Sequence, residues 1–180
     1  MFFLEDEMIS KKSIKNIPRH ISSFAALIVM CFVIPFLIIR FERQFSDHSL
    51  YTPAASLSVV GLIICVAGLI LLIAAIRMVI LKGNGTIMPW DQTRILIIVG
   101  LYSHVRNPMI MSLIIILVGE TILFASYGIA LLAALNIVIN TVYFIFFEEP
   151  GLEKRFGEQY IEYKKNVPRW IPRWKPWQPS

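Results

Sequence analysis

Two adjacent carboxylates, Glu148 and Glu149, close a long apolar stretch and are followed at once by Pro150. Acids at the edge of hydrocarbon are costly unless they are paired or reach water. In that setting one of them can grip a cationic ligand, or they can bridge to bases such as Arg106 or Lys154. The second group of interest is Arg106-Asn107-Pro108, which opens another apolar run, with Tyr102 shortly before it. Proline suits the first turn of a helix and asparagine its N-cap. Such a helix start carries partial positive charge and free N–H groups, so it can hold a carboxylate. The plainer account is a capped, positively anchored start of a helix. Glu120 stands alone inside an apolar run. An acid in that place is a functional candidate by default, although protonation or a bond to Asn136 explains it more simply.

Other chemistries find little support. His20, His48 and His104 are isolated and lack metal-ligand spacing. Cys31 and Cys65 sit inside apolar runs and read as small buried hydrophobes. Neither a phosphate-binding loop, an HExxH, a GxSxG nor a defensible Ser/His/Asp constellation is present. No metal site is expected.

The elements that must position these residues follow from composition. The chain has 180 residues, 57% of them hydrophobic and only 16% charged. A soluble domain normally carries about a quarter charged residues, so an ordinary soluble enzyme and a disordered chain are both excluded. The net charge of +5 lies outside the apolar runs. That pattern points to an anionic membrane face and away from nucleic acid.

A helix needs roughly 20 apolar residues to cross hydrocarbon. Three regions qualify: 21–39, interrupted by Pro35; 54–76, with no charge; and 109–147, whose one acid is Glu120. The last is long enough for two spans, with Ala125-Ser126-Tyr127-Gly128 as the turn between them. The fold class expected is therefore all-α: a polytopic membrane bundle of about four transmembrane helices. Gly61, Gly68 and Ala75 recur every seven residues in the second span and mark close helix packing. On the fourth span Asn136, Asn140, Tyr143 and Phe147 share a face, as interhelical glue.

Basic residues concentrate in three segments: Lys11, Lys12, Lys15 and Arg19; Arg77, Lys82, Arg94 and Arg106; and Lys154 through Lys175. The positive-inside bias then puts both termini and the middle loop in the cytoplasm. Asn107 and Glu148 lie about 20 residues either side of the last turn, which places them at the same membrane depth. After Pro150, Leu152, Phe156, Tyr160 and Tyr163 recur at helical spacing among charges, predicting an amphipathic cytosolic helix as interfacial anchor or lid. The tail with Trp170, Trp174 and Trp177 reads as an interfacial belt. We divide the single membrane domain (1–180) into a two-helix part (1–82), a part carrying the candidate site (83–172) and a basic, aromatic tail (173–180).

The blocks from Leu96 to Met109, Glu148-Glu149-Pro150, Phe156 to Tyr163 and Val167-Pro168-Arg169 occur in this order around an apolar hairpin. In this the chain resembles the isoprenylcysteine carboxyl methyltransferase and phospholipid methyltransferase family of integral-membrane enzymes. The resemblance covers about half the chain, from Gly83 to Pro172. It implies S-adenosylmethionine as cofactor and methyl transfer to a lipophilic small molecule or lipid at the cytoplasmic face, with membrane lipids as partners and no nucleic acid. It also implies a cofactor-binding set of Leu96, Ile97, Tyr102, Arg106, Asn107, Pro108, Ile110 and Glu148. If the acceptor must lose a proton, Glu149 or Tyr102 is the candidate to assist. The chain departs from the family in having Asn107 where a histidine is frequent, and Ile110 and Ser112 where tyrosine and glycine are frequent. Phe144 replaces the arginine that contacts the substrate carboxylate in prenylcysteine enzymes, so the resemblance does not extend to that substrate. The alternatives are a membrane NADPH-dependent reductase, since sterol reductases resemble the C-terminal architecture, or a non-catalytic membrane scaffold. A transporter is disfavoured by the lack of charged midplane residues.

Overall fold

A computed structural model describes residues 27–45, 54–82 and 96–179. The N-terminal arm, the first six residues of the first predicted span and the turn-rich start of the middle loop lie outside these residues, as do His20 and His48. All regular structure among the described residues is helical. Helix α1 (Ile34–Phe45) follows a π-helical turn at Val29–Val33. α2 spans Ala55–Lys82, α3 Pro108–Phe124 and α4 Tyr127–Tyr143. A second π turn, Phe144–Glu148, joins α4 directly to α5 (Glu149–Phe156), and α6 covers Glu158–Asn166.

Each π turn ends two residues before a proline. Pro35 and Pro150 cannot donate to the helical ladder, and each ring crowds the carbonyl one turn back. Widening that turn relieves the clash without ending the helix. The bonds show it: Ile34 N–H reaches back five residues to the Val29 carbonyl, and Glu149 N–H to that of Phe144. Pro35 therefore does not break the first helix, which also continues past the expected end at Ile39 to Phe45. The polar residues there are used, because Glu42 accepts hydrogen bonds from Ser126 Oγ (2.5 Å) and from Gly128 N–H (2.6 Å). A carboxylate thus caps the N-terminus of α4, where the helix dipole favours it.

The turn between α3 and α4 forms where the sequence places it. Ala125 adopts a left-handed conformation (φ 49°) that ends α3, and Ser126 caps α4 by accepting from Ile129 N–H. The tightest contact in the bundle is α2 against α3. A Cβ on Gly61 would lie 2.5 Å from the Leu123 backbone nitrogen, and one on Gly119 would lie 2.6 Å from Cys65 Sγ. Small residues let the two backbones approach as membrane helices do. Ala75 continues the seam fully buried, and Leu72, Ile76, Leu113, Ile116 and Leu117 fill the core beside it.

The outside of this bundle is apolar. Ile63 and Ile70 on α2 and Val138 and Ile139 on α4 face outward, which water would not tolerate in such numbers. Two helices are long and apolar enough to cross a bilayer: Ala55–Leu81 of α2, and the rod Tyr127–Phe156 formed by α4 and α5. α3 is apolar but shorter.

The expected amphipathic helix after Pro150 is not one element. Its first half continues the α4 rod as α5, and Gly157, at φ +56°, breaks the chain before α6. The predicted apolar stripe survives the break. Tyr160, Tyr163 and Val167 are buried together against Leu152, Phe156 and Leu96.

Candidate functional site

The candidate site gathers where α3 begins and the α4 rod changes character. Residues 96–98 have no regular structure, Val99 is extended, and a short 3-10 turn, Gly100–Ser103, precedes the entry into α3 at Pro108. Leu96 packs on the Tyr160–Tyr163–Val167 cluster, and Ile97 is buried. Tyr102 sits in the turn, its backbone carbonyl accepting from Tyr163 Oη at 2.7 Å. Burial, reinforced by the Glu148 charge, pushes the Tyr102 phenol well above the usual tyrosine range, so it stays protonated. Burial likewise pushes Tyr160 up to about 12.

Asn107 occupies the N-cap position, yet its side chain caps nothing; only its carbonyl joins the ladder, accepting from Met111 N–H. Its backbone is extended in φ (−122°), as a residue before proline must be. Pro108 is buried at the first turn and Ile110 lies half-buried one turn in. The opening amides of α3 consequently have no side-chain cap, leaving donors and positive dipole directed at the loop.

Glu148 and Glu149 have opposite surroundings. Successive helical positions point about 100° apart, so the two carboxylates leave the rod on different sides. Glu149 is 4% exposed and serves as a hub. Arg106 Nη1 donates to its Oε1 at 2.8 Å, Arg169 Nη2 lies 2.7 Å from the same oxygen, and Lys164 Nζ lies 3.0 Å from Oε2. Lys164 also bridges to Glu153 at 2.8 Å. Glu148 is half-buried and makes no hydrogen bond or ion pair among the described residues. Tyr143 stacks on Phe147 one turn before it, with centroids 5.8 Å apart.

Arg106 leaves one donor unused: its Nε is buried and has no partner among the described residues. Its backbone is fixed from the other side, since Arg106 N–H donates to the Pro168 carbonyl at 2.9 Å. Two further bonds, Arg173 N–H to His104 O and Trp177 N–H to Ser103 O, both 3.0 Å, tie the C-terminal strap along residues 103–106.

The fold thus brings the two ends of the α3–α4 hairpin together through Arg106 and Glu149, while the charge of Glu148 is felt by Tyr102 and Tyr160. Asn107 makes no hydrogen bond to Glu148. Arg169, Lys164 and Tyr163 hold the site together, although their types and spacing alone do not mark them as site residues. The signal lay in Val167-Pro168-Arg169, one of the blocks of the resemblance. Glu120 is buried as expected of an intramembrane acid, but Asn136 is bonded to Asn140 Nδ2 instead, and Glu120 Oε2 has no partner among the described residues.

No curated protein and no solved structure gives a significant match to the chain. A family model described as phospholipid methyltransferase matches residues 57–159, from the first turn of α2 to the middle of the C-terminal helices. This stretch contains the uncapped start of α3, the hairpin and both glutamates, and it is more than half of the sequence, so the chain belongs to the phospholipid methyltransferase family.

Proposed function

We propose that the chain is an S-adenosylmethionine-dependent methyltransferase acting on a lipophilic small molecule or lipid, with the cofactor held where α3 begins and α4 passes into α5. The observation that carries this reading is the unpaired Glu148 beside a fully paired Glu149. A half-buried carboxylate left without a partner is unfavourable in the protein alone and is accounted for by a cationic or hydroxyl-bearing ligand.

The residues present fit the cofactor's ends. Glu148 would take an ammonium or the sugar hydroxyls, and the uncapped amides of α3 after Asn107 and Pro108, with the orphaned Nε of Arg106, would take a carboxylate. Leu96, Ile97, Tyr102 and Ile110 would supply the walls. When bound, S-adenosylmethionine supplies an electrophilic methyl group on a sulfonium whose leaving group is a neutral thioether. The work left to the chain is alignment and exclusion of water.

Neither candidate for assisting deprotonation is suited to accept a proton. Glu149 spends its lone pairs on three cations, and Tyr102 is held in its protonated form by burial. We assign both a positioning role: Glu149 orients Arg106, and Tyr102 fixes the turn before α3 through its carbonyl bond with Tyr163. In this reading α1 to α4 are four transmembrane helices, with both termini and the site on the cytoplasmic side. The basic residues beside the loop and after α4 support that orientation.

Binding of S-adenosylhomocysteine and of NADPH to the detergent-solubilised chain tests the proposal. S-adenosylhomocysteine should bind and Glu148→Gln should weaken it by about 1.5–3 kcal/mol, the worth of a hydrogen bond to a charged group. Binding of NADPH alone would replace the methyltransferase with a reductase. Binding of neither would leave a scaffold. Transfer of labelled methyl into a membrane lipid extract would then identify the acceptor.

A further inference from the structure

The C-terminal strap carries a feature that the cofactor site does not use. Its tryptophans alternate in direction: Trp170 packs on Phe144 (5.9 Å between centroids) and Trp177 on Tyr163 (6.0 Å), while Trp174 between them is 99% exposed. Ile171 beside it is 81% exposed. This is not a loose tail. Backbone bonds from Arg173 and Trp177 to residues 103 and 104, together with the 2.7 Å contact of His104 Nδ1 with the Arg173 carbonyl, hold the outward pair in place.

Charge accompanies this apolar wedge. Arg173 and Lys175 flank Trp174, and no acid occurs after Glu162. Arg173 spends one N–H on the Asn166 carbonyl, but neither cation meets a carboxylate among the described residues. The depth is also defined. Trp170 rests on Phe144, in the turn where Phe146 and Phe147 still point outward and Glu148 ends the apolar surface. The strap therefore lies level with the end of the apolar rod, where aromatic and basic side chains favour the headgroup layer.

We propose that residues 170–177 form a docking surface for anionic lipid headgroups, with Trp174 and Ile171 inserted at the acyl boundary and Arg173 and Lys175 on the phosphates. The charge complementarity selects an anionic lipid over a zwitterionic one. Because the strap is bonded to the loop carrying Arg106, the lipid contact and the cofactor cradle share one piece of backbone. The proposal rests on the membrane reading of the chain but not on its chemistry.

The full chain is reconstituted in nanodiscs of phosphatidylcholine containing a minority of phosphatidylglycerol, with brominated acyl chains on one lipid or the other. The emission of Trp174 is read as the difference between wild type and Trp174→Phe, a change at a site that packs on nothing. Both brominated lipids should quench it, and at equal mole fraction phosphatidylglycerol should be enriched on the order of tenfold around it, given two cations near the surface. Arg173→Gln with Lys175→Gln, or high salt, should remove the preference and leave the insertion. Equal quenching by the two lipids would overturn the anionic recognition. No quenching by either would overturn docking altogether and point to a protein covering Trp174. A chain that does not enter the disc would refute the membrane reading itself, and the proposal with it.

Discussion

Replacing Glu149 by glutamine should unfasten the C-terminal strap, whereas the same change at Glu148 should not. The side chains of Arg106 and Glu149 are 11% and 5% exposed, and that of Arg169 is 19%. Removing one partner from a buried ion pair costs about 3–5 kcal/mol, chiefly because the remaining charge stays buried and unmatched. Lys164 adds little. Its side chain is 38% exposed and retains Glu153, so its loss is worth at most about 1 kcal/mol. The expected cost of Glu149→Gln is therefore about 3–5 kcal/mol, set by the two arginines. Glu148 has no such partners, and neutralising a half-buried carboxylate that nothing compensates should leave stability unchanged or raise it. Thermal unfolding in detergent provides the comparison, with trypsin cleavage at the strap's basic residues as a second measure. Cleavage should rise by roughly two to four orders of magnitude in Glu149→Gln if opening precedes cutting. Equal melting temperatures and cleavage rates for the two variants would refute the distinction between a structural and a free carboxylate.

Two further outcomes follow from packing and titration. Gly61→Val should lower stability by about 1–3 kcal/mol by overpacking, since its Cβ meets the α3 backbone and not a movable side chain; a melting curve in the same detergent reads it, with Gly151→Ala, whose Cβ meets nothing within 4 Å, as the silent control. Tyr102, Tyr160 and Tyr163 are all pushed up by burial, Tyr160 to about 12. Their protonated forms are favoured by folding, so stability should hold below the ordinary tyrosine value of about 10 and fall as pH rises past it. Ultraviolet titration against a denatured reference should show these phenols ionising late; normal ionisation would mean the cluster is open to water.

Apolar length, proline, small residues and charge are local properties, and what depends on them was legible in the residues themselves. The hairpin turn at Ala125-Ser126, the glycine seam of α2 and the family blocks around Arg106 and Glu148 belong to this class. Other features depend on partners distant in sequence. That Glu42 caps α4, far along the chain, requires the fold to bring α1 over the turn. The identical side chains of Glu148 and Glu149 could not announce different fates. Their separation comes from the direction in which the rod presents each one, and from Arg106, Lys164 and Arg169 converging on one carboxylate from two other segments. Composition and spacing determine which elements form and where their apolar faces lie. Only the tertiary structure decides which charges meet, because a buried ion pair is favourable or costly according to geometry that no single segment contains.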